Sequence, residues 1–138
     1  MNRKDLQELS RLRRREAAAL LKAGRFAGAY YLSGYAVECA LKACIAKQTR
    51  RHDFPDKEVV QKAYAHNLEQ LVKGAGLERA LDAEMRVSKS LELNWTIVKD
   101  WKVTSRYLTT ITYAEARDLY KACTARKHGV LSWIRTRW

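Results

Sequence analysis

Residues Ala29 to Ala43 read AYYLSGYAVECALKA and form the most apolar part of the chain. They belong to a helix that the sequence predicts from about Arg25 to Lys47. Apolar side chains occupy nearly its whole circumference, and a helix of this kind is usually the central one, covered by its neighbours. We therefore expect the other helices to pack around this segment.

The flanking sequence predicts further helices on both sides. A first helix has leucines spaced along one side and ends at Gly24, which suits a left-handed C-cap. After the central helix, the loop TRRHDFPD holds the only proline, Pro55. Beyond that loop, Asp56 caps a short helix, and His66 begins another that closes at a pair of glycines.

The second half of the chain predicts two longer helices. One runs from Leu77 to Val98 and is broken near Asn94. After the irregular segment KVTSRYLTT, Thr112 and Glu115 make a capping box that opens the last helix. The sequence has no convincing strand, so we predict an all-α fold. It is a single domain covering the whole chain, built as an up-and-down bundle of four to five helices.

The charge balance of the chain is strongly basic. Among 138 residues, 27 are Lys or Arg and 15 are Asp or Glu, which gives a formal net charge of +12. Such an excess favours a polyanionic partner, such as RNA, DNA, a nucleotide phosphate or an acidic protein surface.

The basic residues concentrate near the two ends of the chain. Neighbouring first and last helices would join them into one stripe able to follow phosphates. The predicted RNA- or nucleotide-binding residues are Arg13, Arg14, Arg15, Arg126 and Lys127, and the same two clusters include Arg11, Arg135 and Arg137.

The motifs of several enzyme classes are absent from the sequence. It contains no glycine-rich phosphate loop, no H-E-x-x-H and no G-x-S-x-G. The three histidines, His52, His66 and His128, are far apart, and no Cys/His group has the spacing of a zinc site. We expect neither a metal nor a cofactor.

The cysteines and the N-terminal sequence indicate the cellular compartment of the protein. The three cysteines are an odd set without a C-x-x-C pair, which argues against a disulfide scaffold and fits a reducing cytosol. The N-terminus has no signal-peptide pattern. Ser33, Glu38 and Lys42 interrupt the apolar stretch, which makes a membrane span unfavourable. We expect a cytoplasmic protein without a membrane partner.

Glu38 is an unexpected residue, because it places a carboxylate within the apolar central helix. A buried carboxylate has to be neutral, hydrogen-bonded or paired with a cation. Arg13 and Arg106 are the candidate partners. The sequence leaves two roles open, a structural ion pair and a functional carboxylate that faces solvent.

The run AYYLSGYAVECALKA resembles the signature helix of the HEPN-domain family, the higher eukaryotes and prokaryotes nucleotide-binding proteins. Weaker matches occur in the order that the family shows. They are LLKAGRFAGAYY, AHNLEQLVKGAGL around His66, WKVTSRY at Trp101 to Tyr107, and ARKHGVLSWI near the end. The resemblance spans nearly the whole chain and implies a bundle of four to five helices, commonly a homodimer.

This resemblance implies three kinds of function. Many family members are similar to metal-independent ribonucleases with an R-x(4–6)-H motif. Others accompany a minimal nucleotidyltransferase (MNT) in toxin–antitoxin pairs, and others are non-catalytic binders of nucleotides or RNA. Here lysine replaces the motif's arginine, at Lys47 before His52 and at Lys121 before His128, and lysine lacks the bidentate fork of arginine. His52 and His128 are thus the weak catalytic candidates.

The resemblance also implies roles for residues inside the bundle. It pairs the Glu of A-V-E-C with the Arg of S-R-Y, which are Glu38 and Arg106 here. His66 occupies an H-x-L-x-x-L position, as a site residue or as a helix cap.

The function that we expect is non-catalytic binding of RNA or a nucleotide phosphate through a basic surface, by a homodimer. The first alternative is a protein-interaction partner of a nucleotidyltransferase in a toxin–antitoxin pair. The second is a metal-independent ribonuclease that lacks the standard motif.

Overall fold

The structure, a computed structural model, describes residues 1–49 and 56–138. These residues form eight α-helices and one 3-10 helix, and no strand occurs among them. The prediction of an all-α bundle is confirmed. The elements in chain order are α1 (Arg3–Lys22), α2 (Phe26–Gln48), α3 (Lys57–Ala63), α4 (Leu68–Gly74), α5 (Glu78–Val87), α6 (Lys89–Val98), the 3-10 helix (Val103–Tyr107), α7 (Tyr113–Thr124) and α8 (Val130–Arg135).

Helix α2 is the centre of the bundle, as its apolar circumference predicts. Twelve of its 23 residues are buried. Helix α1 packs along most of its length, and α3, α4, α7, α8 and the 3-10 helix cover its other sides. The helix therefore has almost no face of its own in solvent.

Small residues on α2 let its neighbours approach closely. The indole ring of Trp101 lies directly over Gly34, where a methyl group would overlap the ring. The ring of Tyr31 stacks on the same indole, with 5.9 Å between the centroids. On the α1 side, the hydroxyl of Ser10 donates to the carbonyl oxygen of Ala36 at 2.7 Å. These contacts fix the spacing of α1 and of the segment around Trp101 relative to α2.

The end of α1 and the start of α7 have the capping structures that the sequence predicts. Gly24 has φ of +77°, the left-handed conformation expected just after a helix. At the start of α7, Thr112 Oγ1 accepts from the Glu115 amide at 3.1 Å. Glu115 Oε1 accepts from the Thr112 amide at 3.2 Å, which completes the capping box.

The helices are more numerous than predicted because two long ones are broken. The predicted break near Asn94 lies instead at Ser88, whose hydroxyl accepts from the Leu91 amide and caps α6. The predicted last helix is interrupted between α7 and α8. There Gly129 lies so close to the backbone of Ala125 that a Cβ would overlap it. Apolar residues at helical spacing continue across the break at Ser88, so periodicity alone does not reveal it.

The close contact of Gly34 with Trp101 can be tested by one added methyl group. We expect Gly34→Ala to lower the free energy of unfolding by about 1–3 kcal/mol, because a well-packed ring has to move. The measurement is urea unfolding followed by circular dichroism. Gly28→Ala is the matched control on the same helix, since its Cβ would meet only the flexible end of Leu20, at 3.0 Å. Equal effects of the two substitutions would contradict the contact.

Candidate functional site

Glu38 is a carboxylate buried at the centre of the bundle. Its side chain is only 2% exposed. Oε1 accepts from His66 Nδ1 at 2.9 Å and forms an ion pair with Lys42 Nζ, which lies 3.0 Å away. Oε2 is buried without a hydrogen-bond partner among the described residues. One oxygen of this carboxylate therefore has a hydrogen bond and an ion pair, whereas the other has no hydrogen-bond partner among the described residues.

The two partners of Glu38 come from local helix geometry. Lys42 is four residues further along α2 and so lies on the same face. His66 directly precedes Asn67, whose side chain accepts from the Gln70 amide and caps α4. Leu68 is fully buried, and its packing places the start of α4 against α2. The cap is thus Asn67, and the capping role considered for His66 is wrong.

The two arginines predicted to pair with Glu38 lie elsewhere. Arg13 Nη1 donates to Glu16 Oε1 at 2.6 Å. Arg106 is exposed, with its guanidinium 4.8 Å from the ring centroid of Tyr107. Ser105 is the buried residue of the 3-10 helix, so Arg106 stays at the surface. No ion pair joins Arg106 to Glu38 in the part of the chain that the structure describes, which corrects the predicted pairing.

The hydrogen bond to Glu38 orients the imidazole of His66. A carboxylate accepts, so Nδ1 is the donor, and in a neutral ring Nε2 then carries the lone pair. The His66 side chain is 52% exposed. It borders a cleft of about 250 Å³ that Trp101, Lys102 and Thr104 also line. An exposed imidazole held by a buried carboxylate has the geometry of a general base.

A group of arginines forms where α1 meets the end of the chain. Arg3 Nη2 donates to the main-chain oxygen of Trp138 at 2.7 Å, and the Arg11 guanidinium lies 4.9 Å from the Trp138 ring centroid. Burial, and then the charges of Arg14 and Arg11, lower the pKa of Arg135. We call Arg3, Arg11, Arg14 and Arg135 the terminal basic surface.

The terminal basic surface has no acidic partner among the described residues. None of its guanidiniums forms an ion pair with an Asp or Glu side chain there. Arg14 Nε is buried without a hydrogen-bond partner. The arginines of both chain ends are thus held close together, and no Asp or Glu side chain among the described residues pairs with them.

The structure brings together only part of the predicted basic stripe. Arg14 joins the terminal basic surface, but Arg13 pairs with Glu16, and Arg15 is exposed outside that group. Arg126 and Lys127 are exposed in the segment between α7 and α8. A helical projection of α1 could have shown that Arg13 and Arg14 face different sides. Arg14 lies about 20° from Arg3 around the helix, whereas Arg13 lies about 100° from Arg14.

Of the two histidines proposed as catalytic candidates, the structure describes only His128. His52 lies outside the described residues. His128 is exposed, and its Nδ1 is 3.2 Å from Ser88 Oγ. No group of three His, Cys, Asp or Glu side chains in residues 1–49 and 56–138 is arranged to hold a metal ion.

The cysteines are buried and free. Burial is the main cause that raises the pKa of Cys39 and of Cys44 to about 11, and burial also raises that of Cys123. Thiolates are the nucleophilic form, so these side chains are unreactive near neutral pH.

No protein-family model, curated protein or solved structure matches this chain. The resemblance to the HEPN family therefore rests on the residues quoted above and stays a prediction. Within the described helices, none is both long enough and apolar enough to span a membrane.

The pairing of Glu38 with His66 can be tested by double-mutant cycles. We expect Glu38→Ala to lower the free energy of unfolding by about 2–4 kcal/mol, through lost packing and lost hydrogen bonds. The double variant that also carries His66→Ala should show a coupling free energy of about 0.5–3 kcal/mol, because a hydrogen bond joins the two side chains. The control cycle with Arg106→Ala should be additive within about 0.5 kcal/mol. Coupling to Arg106 instead of His66 would contradict the observed arrangement.

Proposed function

We propose that the protein binds the phosphates of RNA or of nucleotides through the terminal basic surface. The observation that carries this proposal is the assembly of Arg3, Arg11, Arg14 and Arg135 without an Asp or Glu partner among the described residues. Like charges held together repel, and an anion that lies between them removes the repulsion.

The chemistry of arginine suits this ligand. Its planar guanidinium offers parallel N–H donors to phosphate oxygens. The indole of Trp138 lies under Arg11 and is partly exposed, so it fixes one guanidinium at the surface. Binding of this kind follows the phosphate backbone and is largely independent of base sequence.

We also infer a cytosolic location and a homodimer. The free, buried thiols support the first inference, since they fit a reducing compartment. The HEPN resemblance alone supports the second. The same resemblance keeps the protein-interaction alternative, in which the basic surface meets the acidic surface of a minimal nucleotidyltransferase.

The salt dependence of RNA binding tests the terminal basic surface. We expect the triple variant Arg11→Ala, Arg14→Ala, Arg135→Ala to reduce the slope of log affinity against log salt by about 2, because each phosphate contact contributes roughly 0.7–0.9. Fluorescence anisotropy with labelled single-stranded RNA at several salt concentrations measures this slope.

The control for that experiment has the same change in charge. It replaces Arg79, Arg86 and Lys57 by alanine, all exposed and outside the terminal basic surface. Equal slopes for the two triple variants would contradict the proposal. If neither the wild type nor the variants bind RNA, the protein-partner alternative takes its place.

A second candidate function is metal-independent RNA cleavage. The hydrogen bond between Glu38 and His66 favours this function. His66 Nε2 would take the proton of a ribose 2′-hydroxyl, whose oxygen then attacks the adjacent phosphorus. The bond between phosphorus and the 5′-oxygen would break, and that oxygen would take a proton from water, giving a 2′,3′-cyclic phosphate and a 5′-hydroxyl end. Lys102 in the same cleft would stabilise the developing negative charge.

Cleavage of RNA in the presence of a chelator tests this second function. We expect His66→Ala to lose at least about 100-fold in rate if His66 is the general base. The control is Gln70→Ala, an exposed residue one turn into α4. Intact RNA with the wild-type protein, or undiminished cleavage by His66→Ala, would contradict the role of His66.

A further inference from the structure

A second cleft lies beside α8 and shares no lining residue with the cleft at His66. Its volume is about 220 Å³, and its lining includes Lys127, His128, Trp133 and Arg137. Glu84 is the only carboxylate among its lining residues. The cleft therefore has two permanent cations, a histidine and one anion.

The basic groups of this cleft are held in place by local contacts. The guanidinium of Arg137 lies 4.0 Å from the ring centroid of Trp133. Its Nη1 donates to the carbonyl oxygen of Trp133 at 3.0 Å and to Thr136 Oγ1 at 2.7 Å. Such a fixed guanidinium loses little side-chain entropy when it binds a ligand.

His128 is positioned by the start of α6. Ser88 Oγ accepts from the Leu91 amide and lies 3.2 Å from His128 Nδ1. The amide of Asn94 donates to the carbonyl oxygen of His128 at 2.9 Å. Donation of the Ser88 hydroxyl hydrogen to Nδ1 puts the ring hydrogen on Nε2, which is then a hydrogen-bond donor.

An unsatisfied donor belongs to the same cleft. Trp133 is 9% exposed, and its indole N–H is buried without a hydrogen-bond partner among the described residues. An unpaired buried donor is unfavourable, so buried donors nearly always have an acceptor. The indole ring lines the cleft, so a ligand bound there changes the surroundings of this N–H group.

We propose that this cleft binds a terminal phosphate group. A phosphate monoester accepts several hydrogen bonds and carries enough negative charge to outweigh Glu84, which matches the donors of Lys127, His128 and Arg137. The cleft is smaller than the roughly 300–1,000 Å³ pockets that enclose whole drug-sized ligands, so only the phosphate end of a larger molecule fits. The phosphate comes from a free nucleotide or from the phosphorylated end of an RNA.

The indole N–H signal of Trp133 reports directly on this cleft. The chain has four tryptophans, so its nitrogen-15 NMR spectrum contains four indole signals, and Trp133→Phe identifies the relevant one. At constant ionic strength we expect that signal to shift and saturate with uridine 5′-monophosphate, and not with uridine. The affinity obtained from this titration should fall at least tenfold in Lys127→Ala. The matched control is Arg126→Ala, the adjacent exposed residue outside the cleft lining.

Two further titrations distinguish the sources of the phosphate. The first titration uses a short RNA with a 5′-phosphate. If it binds with higher affinity than the mononucleotide, as read from the Trp133 signal, the phosphate comes from an RNA end. Comparable affinities indicate a free nucleotide. Absence of a saturable shift with every phosphate ligand, or an unchanged shift in Lys127→Ala, would overturn the proposal. The terminal basic surface is tested separately, because Lys127 and His128 are not part of it.

Discussion

A central helix that must be covered on every side is the constraint on which this fold depends. Helix α2 is apolar around its circumference, and each buried Å² of apolar surface contributes about 25 cal/mol. One neighbouring helix can cover only one stripe of such a cylinder. The chain therefore surrounds α2 with α1, α4, α7, α8 and the 3-10 helix, and several of these elements are short because each covers only part of its length.

Glu38 is the exception to the apolar character of α2, and it links the core to the surface. Its partners, Lys42 and His66, are 22% and 52% exposed, so water still solvates the groups that neutralise it. This arrangement avoids much of the desolvation cost of a fully buried ion pair. A pair of this kind also selects one register, because only one placement of α4 against α2 brings His66 to the carboxylate.

The sequence predicts the fold better than the site, and particular residues show why. Apolar periodicity identifies α2 as central, and local chemistry identifies Gly24 and the Thr112 box, since each depends on neighbouring residues. The partner of Glu38 depends on how α4 docks, over a separation of 28 residues, and periodicity carries no such information. The break at Ser88 is equally hidden, because the apolar pattern runs through it.

The basic surfaces connect stability with ligand binding. Folding brings arginines from residues 3–14 beside Arg135, so part of the repulsion in a chain of net charge +12 exists only in the folded state. An anion that binds there stabilises the folded protein by RT ln(1 + [L]/Kd), which is about 2.7 kcal/mol at 100 times Kd. A hydrophobic core alone gives no reason to place like charges together. The proposed binding of an anion at this surface would explain their proximity, because the ligand would offset the repulsion that folding creates.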